Sequence, residues 1–183
     1  KIKAARELIE KELQEKGLLA KPAEDYTHNI GTCYRCGTIL EPLPLPQFFI
    51  KVKPLAEKAL KALETKETVI FGVGREKILR NWLTNIKDWN ISRQIVWGIR
   101  IPAWYKDDQL TISKDSPGDG WVQDNDSFDT WFSSGQWPVV TLKSNQKGDF
   151  EKFYPTSVME TGYDILHIWV VRMMILGIYM TGK

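Results

Sequence analysis

Cysteine is scarce in this sequence: its 183 residues hold two, Cys33 and Cys36. Two thiols three positions apart cannot build a disulfide framework, so a reducing, cytoplasmic setting is expected. Excess charge of one sign is also missing. Lys and Arg number 25 against 23 Asp and Glu, a net charge of +2. That is too even for a protein held on nucleic acid by bulk charge alone, although a local basic face stays open. There is no charged-then-apolar signal segment and no initial Met, and the chain starts and ends mid-pattern, as an interior piece of a longer protein would. No apolar run is long enough to cross a bilayer. The best candidate, Ile165 to Met180, carries His167 and Arg172 and falls short of the roughly 20 residues a span needs. It reads as a buried helix of the kind that packs on a parallel sheet.

What is present is aromatic and apolar. Eight tryptophans and 43% hydrophobic residues argue for a folded chain of one medium domain or two small ones. Trp82, Trp89, Trp97 and Trp104 cluster between Asn81 and Tyr105, with Arg93 and Arg100 among them. Indoles are large and need a partner for their N–H, so this stretch predicts a packed wall with polar tips. Gly98 and Pro102 rule out one continuous helix.

The periodicity predicts a helix over 3–17 stopped by Gly17, with its alternating Glu and Lys on a solvated face. A strand is expected over 47–53, then a helix opened by Pro54. A second strand over 68–73 and a helix over 75–89 follow, then a strand over 99–105. The order strand, helix, strand, helix gives an α/β fold class. Asp107-Asp108 is placed in a hairpin turn, and Asp126 or Asp129 at the cap of a short helix that Gly135 ends. The last segment reads as a strand over 156–161, a turn at Gly162 and Tyr163, and a helix from Asp164 to about Met180.

Three groupings carry possible chemistry. Cys33-Tyr34-Arg35-Cys36-Gly37 is half of a zinc ribbon, two thiolates on one turn, where tetrahedral zinc needs four ligands. No second such pair exists and His28 is the one nearby addition, so a half-filled site and an unmetallated turn both stand; Pro42, Pro44 and Pro46 argue against a redox helix. Asp124, Asp126 and Asp129 suit either Mg²⁺ or helix capping and a solvated turn. Finally, a strand, a Gly turn and a helix start at Asp164 is how doubly wound sheets present a crevice to nucleotides, though Asp is also a common helix cap.

The stretches NWLTNIKDWNISRQIVWGIRIPAWY, FDTWFSSGQWP and YPTSVMETGYDILHIWVVRMM resemble, in this order, the class I aminoacyl-tRNA synthetases of the valine, isoleucine and leucine group. The resemblance covers nearly the whole chain and is closest to the valine branch. It implies part of a Rossmann-like nucleotide-binding catalytic core, with a zinc-knuckle stalk and the tail of the editing insertion. Residues 1–27 would be that tail, 28–46 the cysteine knuckle, and 47–183 the second half of the catalytic domain with a connecting hairpin at 105–125. By this resemblance Gly162 and Asp164 hold the ribose of ATP, and Trp131, Ile165 and Trp169 line the amino-acid pocket. Cys33 and Cys36 would supply half of a zinc site, and no second zinc is expected because the later cysteine pair of many relatives has no counterpart. His167, where the group has an aromatic residue, is expected in the core.

The group's two ATP signatures, a His-Ile-Gly-His type and a Lys-Met-Ser-Lys-Ser type, do not occur in the sequence. No catalytic residue is therefore assigned, and the chain by itself is expected to be inactive. Its parent would use ATP with Mg²⁺, valine and tRNA(Val) as cofactors and partners. An isoleucine-branch parent is the nearest alternative. A non-enzymatic zinc-ribbon or RNA-binding module, using the basic aromatic residues 87–105, is the alternative of another class.

Overall fold

The computed structural model describes residues 2–20, 25–33, 36–41 and 44–183, which divide into two units, Lys1–Leu45 and Pro46–Lys183. Each is taken by itself.

In the first unit the Glu- and Lys-rich segment forms helix α1, Ile2–Glu15. Gly17 takes a left-handed φ of 65°, a conformation that glycine adopts without a Cβ clash. Lys11–Glu15 and Lys16–Glu12 face each other one turn apart on its solvated side. Beyond it the chain makes a knuckle. Gly37 N donates to the Cys33 carbonyl at 2.8 Å, Cys33 N donates to the Thr38 carbonyl at 2.8 Å, and Thr32 bridges Ile39. Tyr34, Arg35 and Pro42 lie outside the described residues.

The second unit is a helical layer edged by short antiparallel ladders. Strand β1, Phe49–Ile50, leads into α2, Lys53–Glu64, which has a proline in its first turn. Helix α3, Arg75–Thr84, follows, and then β2, Trp89–Asn90, pairs antiparallel with β1. Strand β3, Ser92–Arg93, pairs with β7, Ser127–Phe128. Between them β4, Ala103–Lys106, is flanked by β5, Gln109–Ile112, and β6, Val122–Gln123. The hairpin turns at Asp107-Asp108, as expected, with Lys106 opposite Gln109 and Asp107 at φ 50°. Helices α4, Thr130–Ser134, α5, Trp137–Ser144, and α6, Asp149–Phe153, precede a π-helix at Leu166–Val170, which runs into α7, Val171–Thr181.

The core lies where α2, α3 and α7 meet. Ala56, Ala59 and Leu63 of α2, Leu79 and Leu83 of α3, and Val171, Ile175 and Leu176 of α7 are buried together with Val52 and Trp89. The small alanines of α2 let α7 approach it closely.

The structure departs from the sequence expectations in several places. The strands expected over 47–53 and 99–105 shrink or shift to Phe49–Ile50 and Ala103–Lys106, and the last helix starts as a π-helix at Leu166. The segment 68–73 is not a strand. Thr68 N is tied back to the Ala62 carbonyl, and Gly72 and Gly74, at φ 106° and 74°, curl the chain into α3. Helix α3 stops at Thr84 rather than Trp89, because the Asn85 amide caps the Asn81 carbonyl at 2.8 Å. Trp89 instead sits in a ladder opposite Ile50. Residues 156–161 form no strand, since among the described residues nothing pairs with them, and Val158 is 88% exposed. Every described ladder is antiparallel, so α7 packs on α2 rather than on a parallel sheet.

Nor do the four tryptophans of 81–105 form one wall. Trp89 is buried and its Nε1 donates to Asp129 Oδ2 at 2.8 Å; Trp104 Nε1 donates to the Ser113 carbonyl at 2.9 Å. Trp82 instead meets His167 edge-on, with centroids 4.8 Å apart, and Trp97 is 91% exposed. His167 is half-buried against this ring, and Trp82 is itself 41% exposed, so the histidine sits at the edge of the core rather than inside it as expected.

Candidate amino-acid and nucleotide site

The short helix α4 is the best-anchored part of the predicted site. Asp129 caps it, accepting from Trp131 N at 3.4 Å. The same carboxylate accepts from Trp89 Nε1 at 2.8 Å and pairs with Arg93 at 3.1 Å. It is 5% exposed, and three donors offset the desolvation of its charge. Of the two caps the sequence allowed, Asp129 is the one used. Asp126 accepts from Gln94 Nε2 at 2.7 Å, and Asp124 accepts from Tyr105 Oη at 3.0 Å. The three acids are thus engaged separately, and among the described residues no three acidic, His or Cys side chains gather as a metal site.

Trp131, in the first turn of α4, is half-buried and packs on the core cluster. Trp169, on the π-helix, donates from Nε1 to the carbonyl of Ser134 at the other end of α4, at 3.0 Å. Ile165 is half-buried directly before the π-helix, and its carbonyl accepts from Trp169 N at 2.7 Å. Two predicted pocket residues, Trp131 and Trp169, are therefore tied to the same five-residue helix, and the third is tied to Trp169.

Gly162 and Asp164 meet at a turn. Ile165 N donates to the Gly162 carbonyl at 3.3 Å, and Asp164 is exposed. A Cβ on Gly162 would lie 2.6 Å from Asp164 Oδ1, so the carboxylate folds over the bare glycine backbone. Asp164 does not cap the helix; no side-chain cap bond forms at that start. Tyr163 between them stacks under the Arg75 guanidinium, 4.4 Å from the ring centre, which links the turn to the start of α3.

Arg93 and Arg172 were not singled out as a framework by the sequence reading. Arg172 lies over the Trp89 ring at 4.5 Å and donates to the Ile168 carbonyl at 2.8 Å. Burial lowers it from the usual arginine range, Asp129 opposes that shift and Arg93 adds to it. A half-open cavity of about 510 Å³ is lined by this framework, including Val52, Trp82, Ile86, Trp89, Arg93 and Arg172. It contains none of Trp131, Gly162, Asp164, Ile165 and Trp169.

The cysteine knuckle offers two sulfurs on one turn, which fits half of a tetrahedral shell. Cys36 Sγ lies 3.2 Å from Thr38 Oγ1, and that hydrogen bond lowers the Cys36 thiol from its ordinary value. No third ligand joins the pair among the described residues. Purified as this chain alone, the protein should retain well under one zinc per chain, and both thiols should titrate freely with a disulfide reagent. Stoichiometric zinc surviving dialysis against a chelator would mean that two further ligands complete the shell.

A family profile described as tRNA synthetases class I (I, L, M and V) matches residues 4–119 and 108–183. The chain belongs to this class I tRNA synthetase family. Three valine–tRNA ligases are similar along almost all of it. That of Borrelia garinii subsp. bavariensis is 48% identical over 100% of the chain and 22% of the relative. Those of Geobacillus kaustophilus and Thermotoga maritima are 45% and 44% identical, over 97% and 94% of the chain and 21% of each relative. The chain thus spans about a fifth of the length of the relatives it matches. In a class I synthetase, a mixed helix and sheet segment of this kind is in place, and none of its described helices is long and apolar enough to cross a membrane.

Proposed function

We propose that this chain is an interior segment of a valine–tRNA ligase. In that protein it supplies the side-chain wall of the valine pocket and one contact to the ribose of ATP. The observation that carries the reading is the 48% identity to a valine–tRNA ligase along the whole chain. The anchoring of Trp131 and Trp169 at the two ends of α4 supports it. No feature favours the isoleucine branch or a stand-alone RNA-binding module.

The parent reaction joins the valine carboxylate to the α-phosphorus of ATP and expels pyrophosphate. The 3′-terminal hydroxyl of tRNA(Val) then takes the valyl group and releases AMP. Activation of this kind is governed by positioning and by charge stabilisation on the phosphates. Magnesium, when bound, screens those phosphates. The residues of this chain do other work. Asp164, beside the Cβ-less Gly162, accepts hydrogen bonds from ribose hydroxyls. Trp131, Ile165 and Trp169 enclose the isopropyl group in apolar surface. Within the parent, residues 1–27 end the editing insertion and residues 28–46 form the knuckle, whose Cys33 and Cys36 would hold half of a zinc site completed elsewhere in the protein. Residues 47–183 complete the Rossmann-like catalytic domain, and the enzyme works in the cytoplasm.

Valine-dependent exchange of pyrophosphate into ATP by the full-length protein tests the proposal. The full-length protein should catalyse it with valine in preference to isoleucine, and the 183-residue chain alone should give none. Exchange that responds to isoleucine and not to valine would reassign the branch. Exchange by the isolated chain would show that the phosphate-binding residues lie within it.

A further inference from the structure

We infer that Arg75 is a positioning residue for the nucleotide. Its guanidinium, stacked on the Tyr163 ring, holds the turn at residues 162–164 where the Asp164 carboxylate meets the ribose. The inference rests on the reading of Asp164 as the ribose contact. Little else fixes that turn. Among the described residues, no backbone hydrogen bond ties residues 156–161 to another segment. The turn itself is closed by Ile165 N donating to the Gly162 carbonyl at 3.3 Å, a long bond. Asp164 is exposed and caps no helix, and Tyr163 is 68% exposed. Arg75 supplies a contact from another element, its guanidinium carbon lying 4.4 Å from the Tyr163 ring centre.

The placement of Arg75 has no explanation within its own helix. It is the first residue of α3, where the helix dipole disfavours a cation. The acid of that first turn, Glu76, pairs with Arg80 at 2.7 Å. Among the described residues, no carboxylate lies within ion-pair distance of Arg75. What orients Arg75 is the chain before the helix. Gly72 and Gly74 take φ values of 106° and 74°, and Arg75 N donates to the Gly72 carbonyl at 3.2 Å. A Cβ on Gly72 would lie 3.0 Å from Arg75 Cγ, so the arginine stem crosses the bare glycine and carries its head to the tyrosine. A planar guanidinium suits a ring face, and it keeps its charge at every working pH. Restraining Tyr163 restrains Asp164, the next residue. A carboxylate already in place loses less freedom when ribose hydroxyls bind, so the stack is expressed as tighter ATP binding.

The test is valine-dependent pyrophosphate exchange by the full-length protein carrying Arg75→Leu, Tyr163→Leu, both together, Tyr163→Phe, or Asp164→Ala. Arg75→Leu and Tyr163→Leu should each raise the KM for ATP by about two- to fivefold, the size of a partly exposed cation–π contact. The KM for valine should stay at the wild-type value. Tyr163→Phe keeps the ring and should keep the wild-type KM for ATP. The double variant should be no worse than either single one, because both changes remove the same contact. An unaltered KM for ATP in both leucine variants, with that of Asp164→Ala raised, would overturn the positioning role and leave the ribose reading in place. An unaltered KM for ATP in Asp164→Ala would overturn the ribose reading and this inference with it. Additive losses in the double variant would mean that Arg75 acts on the nucleotide directly, against the inference. Equal rises in the KM for ATP and for valine would make the stack a general structural contact, which also overturns it. Should Arg75→Leu not fold, Tyr163→Leu against Tyr163→Phe decides: the same KM for ATP in both overturns the inference.

Discussion

Asp129→Ala should lower the stability of the Pro46–Lys183 unit by about 3 kcal/mol, the larger of two effects expected from single carboxylates. Its carboxylate is 5% exposed and serves three donors: Trp89 Nε1, Arg93 and the backbone N–H of Trp131. Alanine leaves the Trp89 N–H buried without an acceptor, which costs about 1–3 kcal/mol. It also removes the cap of α4, worth about 1 kcal/mol. The ion pair adds less than a fully buried one, because the Arg93 side chain is 39% exposed and water compensates part of its loss. Asp129→Asn keeps an acceptor for the indole and a cap for α4, so it should fall between alanine and wild type. Urea denaturation followed by tryptophan emission measures the series. Equal midpoints for all three proteins would remove Asp129 from the framework of the site.

The second large effect concerns the nucleotide. In the full-length protein, Asp164→Ala should weaken ATP use by about 1.5–3 kcal/mol, the range for a hydrogen bond to a charged group. The loss should appear in the KM for ATP, with the KM for valine nearly unchanged, because the carboxylate stands at the Gly162 turn and Trp131, Ile165 and Trp169 form a separate apolar group. Asp164 caps no helix in this structure, so stability should change little. A rise confined to the KM for valine would place Asp164 in the amino-acid pocket. A fall in stability comparable to that of Asp129→Ala would make it a structural residue.

Local signals in the sequence were legible where one residue type decides the conformation. Gly17 takes the left-handed turn that ends α1, Pro54 sits in the first turn of α2, Asp107-Asp108 closes a two-residue hairpin, and Asp129 caps α4. Signals that depend on a distant partner were not legible. Residues 68–73 and 156–161 have strand-like composition, yet a strand exists only with a neighbour to take its N–H and C=O groups, and the described residues provide none. The end of α3 was misplaced because the apolar period runs on through Trp89, while the Asn85 amide has already closed the helix. Trp89 is apolar for a different reason, as the lid on Asp129 and the platform of Arg172.

The site residues divide in the same way. Trp131, Ile165, Trp169, Gly162 and Asp164 came from the resemblance, since spacing alone could not separate them from ordinary core and cap positions. Asp129 was visible as a cap and not as the hub of a charge network, because its partners Trp89 and Arg93 are far away in sequence. Gly135 was read as a helix-ending glycine, whereas its right-handed backbone makes space the reason for its lack of a side chain. Nothing in the residue types marks the widened turn at Leu166–Val170, which sets the aim of Trp169.

A crystal structure of the full-length protein with a non-hydrolysable valyl-adenylate analogue tests the account most directly. The account predicts the Asp164 carboxylate within hydrogen-bond distance of the ribose hydroxyls, with the valine isopropyl group against Trp131, Ile165 and Trp169. An analogue seated elsewhere, for example in the cavity between Trp82, Trp89 and Arg172, or bound with Asp164 turned away from the ribose, would contradict it.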